Sequence, residues 1–226
     1  MRLKLLFGKN LKPIKMPLNE EVNGFINKLL GKENKYHGNF SRYSISSMQG
    51  GNMDKNGVLN FPNGGYIFIS SDDAEFITNI MYGIANAKDE MYIFDMRYEK
   101  MEINDFIVNE KYDLVRTISP LLLSSKGKVI TFKDADFIET LLEKTLKKLI
   151  KCGYDEKLVK TLNIKPFHFE NAKTKMVQVG KQKNIGSNVM LYVEGNKKIR
   201  KALYEIGLGK CTGFGFGALS INNKKY

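Results

Sequence analysis

The sequence predicts an α+β fold built from two successive β-α-β-β-α-β units. Three observations predict it. Short apolar segments recur with strand-like spacing, amphipathic helical patterns separate them, and glycine and asparagine mark the junctions. That element order is the ferredoxin-like one, shared by RRM domains. At 226 residues the chain can bury a core in each of two domains of roughly 110 residues. The expected division is 1–112 and 113–226.

The first unit opens with Leu3, Leu5 and Phe7 alternating against Arg2 and Lys4, a half-buried strand. A basic, proline-punctuated loop follows over 9–17. Asn19 is expected to cap a helix with Val22, Phe25, Ile26, Leu29 and Leu30 on one face, Glu20 and Glu21 in its first turn, and Gly31 as its stop. Residues 42–46 alternate as a strand, Gly50-Gly51 and Asn56-Gly57 mark turns, and 66–69 form another strand. Asp72 and Glu75 are expected to open a helix carrying Phe76, Ile77, Ile80, Met81 and Ile84. Residues 91–98 return as the fourth strand.

The second unit begins with strands near 113–118 and 129–132. A long helix then carries Phe137, Ile138, Leu141, Leu142, Leu146, Leu149 and Ile150 on one face, with Gly153 at its end. A short helix over 155–162 is followed by strand-like segments at 166–169 and 176–179, with His168 inside the first. Residues 181–188 read as the tip of a basic hairpin leading into a strand at 189–193. A helix capped by Asn196 shows Ile199, Ala202, Leu203 and Ile206 at i, i+3, i+4, i+7. A glycine-rich stretch and a last strand at 218–221 complete the unit.

Charge is uneven. The net charge is +12, yet residues 72–113 hold eleven acids against four bases, so the rest of the chain carries +19. Residues 173–201 alone hold eight bases against Glu194. Such a directional basic field points to nucleic acid, because phosphate neutralisation supplies most sequence-independent affinity. No apolar run is long enough for a membrane span, and the N-terminus lacks a signal-peptide pattern. Cys152 and Cys211 have no metal-ligand spacing, which fits a reducing cytoplasm. Acids clustered for two-metal nuclease chemistry are absent from the basic region.

The chain is organised around residues 207–217, Gly207-Leu208-Gly209-Lys210-Cys211-Thr212-Gly213-Phe214-Gly215-Phe216-Gly217. Clustered glycines can bare backbone amides to a phosphate. The stretch is not a dinucleotide fingerprint, because Thr212 stands where the third glycine belongs and the order is helix-loop-strand rather than strand-loop-helix. It lacks the P-loop spacing too. Gly213-Phe214-Gly215-Phe216 only partly matches the RNA-stacking octapeptide of RRM domains, with Thr212 in place of its leading base. Written as glycine-apolar-glycine, five residues, glycine-apolar-glycine, the stretch resembles the C-terminal glycine-rich signature of the CRISPR repeat-processing endoribonucleases of the RAMP superfamily. There too it follows the last helix and precedes the last strand.

The resemblance implies a tandem ferredoxin-like architecture and an RNA cleavage that needs neither metal nor cofactor. The RNA's own 2′-hydroxyl attacks, leaving a 2′,3′-cyclic phosphate and a 5′-hydroxyl. The loop after the first helix is where such enzymes usually carry a catalytic histidine, which here is His37. An unperturbed imidazole, with pKa near ~6.5, can serve as base or acid at neutral pH. Tyr43 can donate a proton or orient the hydroxyl, with Tyr36 as its competitor, and Arg42 or Lys35 can stabilise phosphate charge. Because Arg42 and Tyr43 are consecutive in a strand, they point to opposite faces and cannot both meet one phosphate without a bend. Repeat RNA is expected along Lys181, Lys183, Arg200, Lys210 and the amides of Gly207, Gly209, Gly213, Gly215 and Gly217; Phe214 and Phe216 either stack on bases or pack the core, with core packing the preferred reading. The alternative is a non-catalytic RNA-binding RAMP subunit that works with other CRISPR effector subunits. A monomer or homodimer is expected.

Overall fold

The computed structural model describes residues 1–15, 18–31, 34–36, 40–55, 57–104, 107–179 and 181–221. The first half supplies β1 (Arg2–Phe7), β2 (Ile14–Lys15), α1 (Asn19–Leu30), β3 (Tyr43–Ile45), β4 (Asn52–Met53), β5 (Val58–Asn60), β6 (Gly65–Ser71), α2 (Ala74–Ala85), β7 (Tyr92–Ile93) and β8 (Met96–Ile103). Its main sheet is antiparallel, in the order β3-β6-β1-β8-β7. Leu3, Leu5 and Phe7 face Phe25, Ile26, Phe76, Ile77 and Ile80 of the two helices, all buried. Each such side chain taken from water stabilises the fold by ~1.5–3 kcal/mol, before chain entropy is counted.

The second half supplies β9 (Tyr112–Thr117), β10 (Leu123–Ser125), β11 (Lys128–Ile130), α3 (Phe137–Lys151), α4 (Glu156–Val159), β12 (Asn163–Phe167), β13 (Lys173–Val179), β14 (Gln182–Asn188), β15 (Met190–Glu194), α5 (Lys197–Ile206) and β16 (Leu219–Ile221). Its sheet runs β12-β15-β9-β16. In both sheets the unit's first strand lies between the third and fourth, and the second is outermost. This is the ferredoxin-like arrangement that the element order predicts. None of the described helices is long and apolar enough to cross a membrane.

Several local expectations give way to tertiary contacts. Residues 91–98 form a hairpin of β7 with the start of β8, turned at Phe94 in the left-handed region (φ 54°). The strand expected over 129–132 is β11, paired in a hairpin with β10 rather than placed in the main sheet. Residues 182–188 are a strand in their own right, paired with β13 throughout. His168 leaves its strand: at φ 48° it turns the chain so that Phe167 and Phe169 fall on different sides of β12. Helix α2 is capped by Asp73, whose carboxylate accepts from the amides of Glu75 and Phe76. Asp72 is freed for other partners.

Buried and partly buried polar ties join the two halves. The Arg2 guanidinium donates to Ser70 Oγ (2.7 Å) and to the Leu219 carbonyl (2.7 Å). The N-terminal ammonium meets Glu205, and Gln49 Nε2 reaches the Ile118 carbonyl at 2.9 Å.

Arg200 corrects the sequence reading most plainly. Placed there on an RNA face, it is fully buried. It is ion-paired with the equally buried Asp113 and donates to the carbonyls of Asn109 (2.6 Å), Glu110 (3.0 Å) and Gly195 (2.9 Å). Its positive charge is spent fastening α5 to β9. Arg200→Met strands a buried carboxylate and is expected to lower unfolding free energy by about 3–5 kcal/mol. Urea denaturation checks this, and a loss under 1 kcal/mol would mean that the pair is solvated.

Candidate nucleic-acid interface and active site

The glycine-rich stretch fills the seam between the two halves. Gly207 ends α5 at φ 70°, its amide donating to the Leu203 carbonyl (2.9 Å). The Leu208 amide donates to the Gly217 carbonyl (2.9 Å) and the Gly217 amide to the Pro120 carbonyl (3.0 Å), so the stretch closes on itself and onto the second sheet. From the first half, Asn19 Nδ2 donates to the Phe214 carbonyl (2.9 Å) and lies 3.4 Å from the Gly215 carbonyl. Thr212 Oγ1 donates to the Tyr43 carbonyl (2.9 Å). Asn19 is therefore not the cap of α1. The cap position is Leu18, and Asn19, as the first helical residue, spends its amide on the glycine stretch.

This geometry divides the glycines assigned to RNA. Gly207, Gly213, Gly215 and Gly217 are buried, whereas Gly209 is half-buried beside exposed Lys210 and Cys211. A Cβ on Gly213 would lie 2.6 Å from the Tyr43 ring and 2.7 Å from Ser41 Oγ, so glycine there lets the backbone press against β3. Phe216 is buried in a small cluster with Leu122 and Val177, with Phe214 packed against it, as core packing requires.

Lys148 holds this seam from beneath. Its ammonium donates to the carbonyls of Ile206 (2.8 Å) and Gly207 (3.2 Å) and to Thr212 Oγ1 (3.1 Å). Lys148 also lines a cleft, and burial of its ammonium among these partners lowers its pKa to about 8. In the unfolded chain lysine titrates near ~10.4. Between those values the unfolded state holds a proton that the folded state has released, so this group's contribution to stability grows as pH rises from about 8. The stability difference between wild type and Lys148→Met should therefore shift by about 2 kcal/mol toward wild type between pH 8 and pH 9.5. Urea melts at the two pH values measure it, and a pH-independent difference would contradict an enclosed ammonium.

The cleft itself, about 490 Å³, lies between α3, the exposed part of the glycine stretch and the segment entering β3. Lys144, Lys147, Lys148 and Lys151 line one side, Lys210 and Cys211 the other, with Phe40 and Ser41 at the edge. Lys151 Nζ sits 4.4 Å from the Phe40 ring centre. The α3 lysines occupy i, i+3, i+4 and i+7, a cationic stripe legible in the sequence beside the apolar one. Periodicity analysis confined to apolar residues missed it.

The predicted catalytic group divides. His37 lies outside the described residues. The nearest described residues before and after it in the chain are Tyr36 and Phe40. Tyr36 packs edge-on against Phe76 (4.9 Å) and Tyr43 (6.3 Å), and Tyr43 stacks on Phe76 at 4.2 Å and 14°. Burial raises the pKa of both phenols, with the Asp73 charge adding to the effect at Tyr36 and a Ser41 hydrogen bond opposing it at Tyr43. At neutral pH both are protonated, and so are donors rather than bases.

Lys35 donates to Glu75 (2.5 Å) and Arg42 to Asp72 (2.8 Å), and these bonds raise their pKa values. Asp72 also accepts from Tyr154 of the second half (2.9 Å), which explains its freedom from helix capping. Tyr36 and Tyr43 thus come together beside the glycine stretch, while Arg42 and Lys35 point to carboxylates. Lys181 and Lys183 are exposed on the β13–β14 hairpin and do not line the cleft.

Comparison with known proteins places this arrangement. The sequence model of the family described as "CRISPR associated protein Cas6, C-terminal" matches residues 100–221. The chain is similar to "CRISPR-associated endoribonuclease Cas6 1" of Methanocaldococcus jannaschii, with 24% identity over 189 residues, 79% of this chain and 72% of that protein. Its fold resembles the product of a Cas6-related gene from Pyrococcus furiosus (TM-score 0.83, 19% identity, 100% of this chain and 99% of that chain). An RAMP protein described as binding different RNA substrates is equally similar (TM-score 0.83, 18% identity, 99% of this chain and 100% of that one). At such identities these structures speak for the fold alone. The matched segment covers more than half of the sequence and includes β9, α5 and the whole glycine-rich seam: the chain belongs to the CRISPR-associated Cas6 family, whose known members are CRISPR-RNA-processing endoribonucleases.

Proposed function

We propose that this protein is a metal-independent endoribonuclease that binds the repeats of precursor CRISPR RNA and cleaves once in each, working in the cytoplasm without a cofactor. The observation that supports the reading most is the lysine-lined cleft. It borders Phe40 and Ser41, which follow His37 in the chain, while Tyr36, which precedes it, packs into the ring cluster beside the glycine stretch. In sequence, His37 thus falls between a residue of the ring cluster and the two residues at the edge of the cleft.

In this reading the imidazole of His37 takes the proton of the attacking 2′-hydroxyl or delivers one to the 5′-oxygen leaving group. Tyr36 or Tyr43 orients the hydroxyl or donates a hydrogen bond. Lys144, Lys151 and Lys210 supply the cationic field for the phosphorane charge. Lys35 and Arg42 would first have to leave Glu75 and Asp72, so they are weaker candidates for that task. The halves 1–112 and 113–226 each furnish part of the site.

The test is single-turnover cleavage of an end-labelled repeat RNA in excess EDTA, with the product ends analysed. The reading expects one cut per repeat, a 2′,3′-cyclic phosphate and a 5′-hydroxyl. Tight binding without cutting would make the chain a non-catalytic RNA-binding subunit.

Affinity should also fall with salt, with a logarithmic slope of about −0.7 per neutralised phosphate on a single strand. Replacing Lys144, Lys151 and Lys210 together with glutamine should flatten that slope by about 2. Fluorescence anisotropy across a salt series reads this. An unchanged slope would take the RNA out of the cleft.

A further inference from the structure

One buried carboxylate ties the edge of the lysine cleft to the helix that lines it, and the chemistry above does not use it. Strand β3 enters the first sheet at the pair Tyr43–Ser71, so Arg42 and Asp72 face each other one step outside that ladder. The Asp72 side chain is 4% exposed, against 45% for Arg42. Its Oδ2 accepts from Arg42 Nη2 (2.8 Å) and its Oδ1 from Arg42 Nε (3.3 Å). Such a two-pronged pair fixes direction as well as distance. The Ser71 hydroxyl donates to the Arg42 carbonyl (2.8 Å), so main chain and side chain of Arg42 are both fastened.

The same turn fastens the chain further upstream. Asp73 accepts from the Tyr36 hydroxyl at 3.4 Å and Glu75 from Lys35 at 2.5 Å. Residues 71–75 thus hold the chain on both sides of residues 37–39.

The second half supplies the other arm. Tyr154 donates its hydroxyl to Asp72 Oδ2 (2.9 Å). Burial, with the Asp72 charge adding to it, raises the pKa of this phenol, which keeps its proton at neutral pH. Tyr154 follows the Gly153 turn (φ 84°) that ends α3, and it packs against the second core. Arg42 adjoins Ser41 and Phe40 at the cleft edge, and Tyr154 stands three positions after Lys151, which lines the cleft from α3. A carboxylate so buried must be paired, and Asp72 takes one partner from each half. Loss of either arm lets the edge shift against the α3 lysines, and a misplacement of about 1 Å can slow a reaction about 10²-fold.

Resting on the reading of this chain as a repeat-RNA endoribonuclease, we propose that Asp72 is a positioning residue for cleavage. Through Arg42 and Tyr154 it sets Phe40 and Ser41 against the α3 lysines and touches no RNA itself. Arg42 serves as its partner rather than as a phosphate ligand.

The test is a double-mutant cycle on single-turnover cleavage of repeat RNA at saturating enzyme, with Asp72→Asn, Arg42→Gln, both together, and Tyr154→Phe. Asp72→Asn and Arg42→Gln should each lower the rate constant about 10- to 100-fold with Kd within about threefold of wild type. The double variant should be no slower than the slower single one, because both changes break one pair. Tyr154→Phe should slow cleavage by at least about threefold. Destabilisation alone lowers the concentration of active enzyme, which a saturating excess offsets, and leaves the rate constant unchanged. Were Arg42 a phosphate ligand, Asp72→Asn would free it and cut at or above the wild-type rate, and Arg42→Gln would weaken binding. Either result would overturn the proposal, as would losses that multiply in the double variant. If Asp72→Asn does not fold, unaltered rate constants in Arg42→Gln and Tyr154→Phe would overturn it too. Wild type that does not cut repeat RNA would instead overturn the endoribonuclease reading.

Discussion

Replacing His37 with alanine is expected to slow cleavage of repeat RNA by about 10²–10⁴-fold while leaving affinity within a few fold, because a positioned general acid or base lowers the barrier by that order. Among the candidates it is the group that both accepts and donates a proton near neutral pH. Tyr36 and Tyr43 are held protonated by burial. His168, the other histidine, is exposed at the end of β12 against Glu170 and does not line the lysine cleft. Single-turnover rates over pH 5–9 read the effect, and the variant should also lose the limb that an imidazole imposes near ~6.5. An unchanged rate would remove His37 from the reaction.

Gly217→Ala should destabilise the protein by at least about 3 kcal/mol and weaken RNA binding and cleavage together. Gly217 adopts φ 60°, where a Cβ costs roughly 1–2 kcal/mol on sterics alone. The added carbon would also lie 1.8 Å from the Leu208 carbonyl oxygen, which the loop cannot tolerate without breaking the bond from the Leu208 amide to the Gly217 carbonyl. Gly31 is the control: it too has positive φ (85°), but a Cβ there meets nothing within 4 Å, so Gly31→Ala should cost only the backbone strain, roughly 1–2 kcal/mol. Urea melts of the two variants distinguish a steric seam from backbone strain. Equal losses would mean that the glycine stretch is looser than its contacts indicate.

Much of the fold was legible because it follows from local pattern. The alternation of Leu3, Leu5 and Phe7, the apolar stripes of α1, α2, α3 and α5, and the order of elements together specify the ferredoxin-like sheets. Of the β10–β11 hairpin only the second strand was legible; β10 and the pairing were not, since a three-residue strand carries too little periodicity. The role of Arg200 was also hidden. Its partner Asp113 is 87 positions away, and charge counting treats a buried arginine and a solvated one alike. Asn19 misled for a related reason: asparagine before a helical pattern reads as a cap, and only the fold brings the glycine stretch within reach of its amide. The glycine spacing showed that a close approach occurs there. It did not show that most of those amides face protein, leaving Gly209 and Lys210 at the cleft.

The most direct test of cleavage by the RNA's own hydroxyl is a repeat substrate with a single 2′-deoxynucleotide at the cut position, assayed in EDTA beside the all-ribose RNA. The account predicts equal binding and no detectable cleavage of the substituted strand. Cutting at that position without the 2′-hydroxyl would mean that water is the nucleophile, and would contradict the roles given to His37 and the two tyrosines.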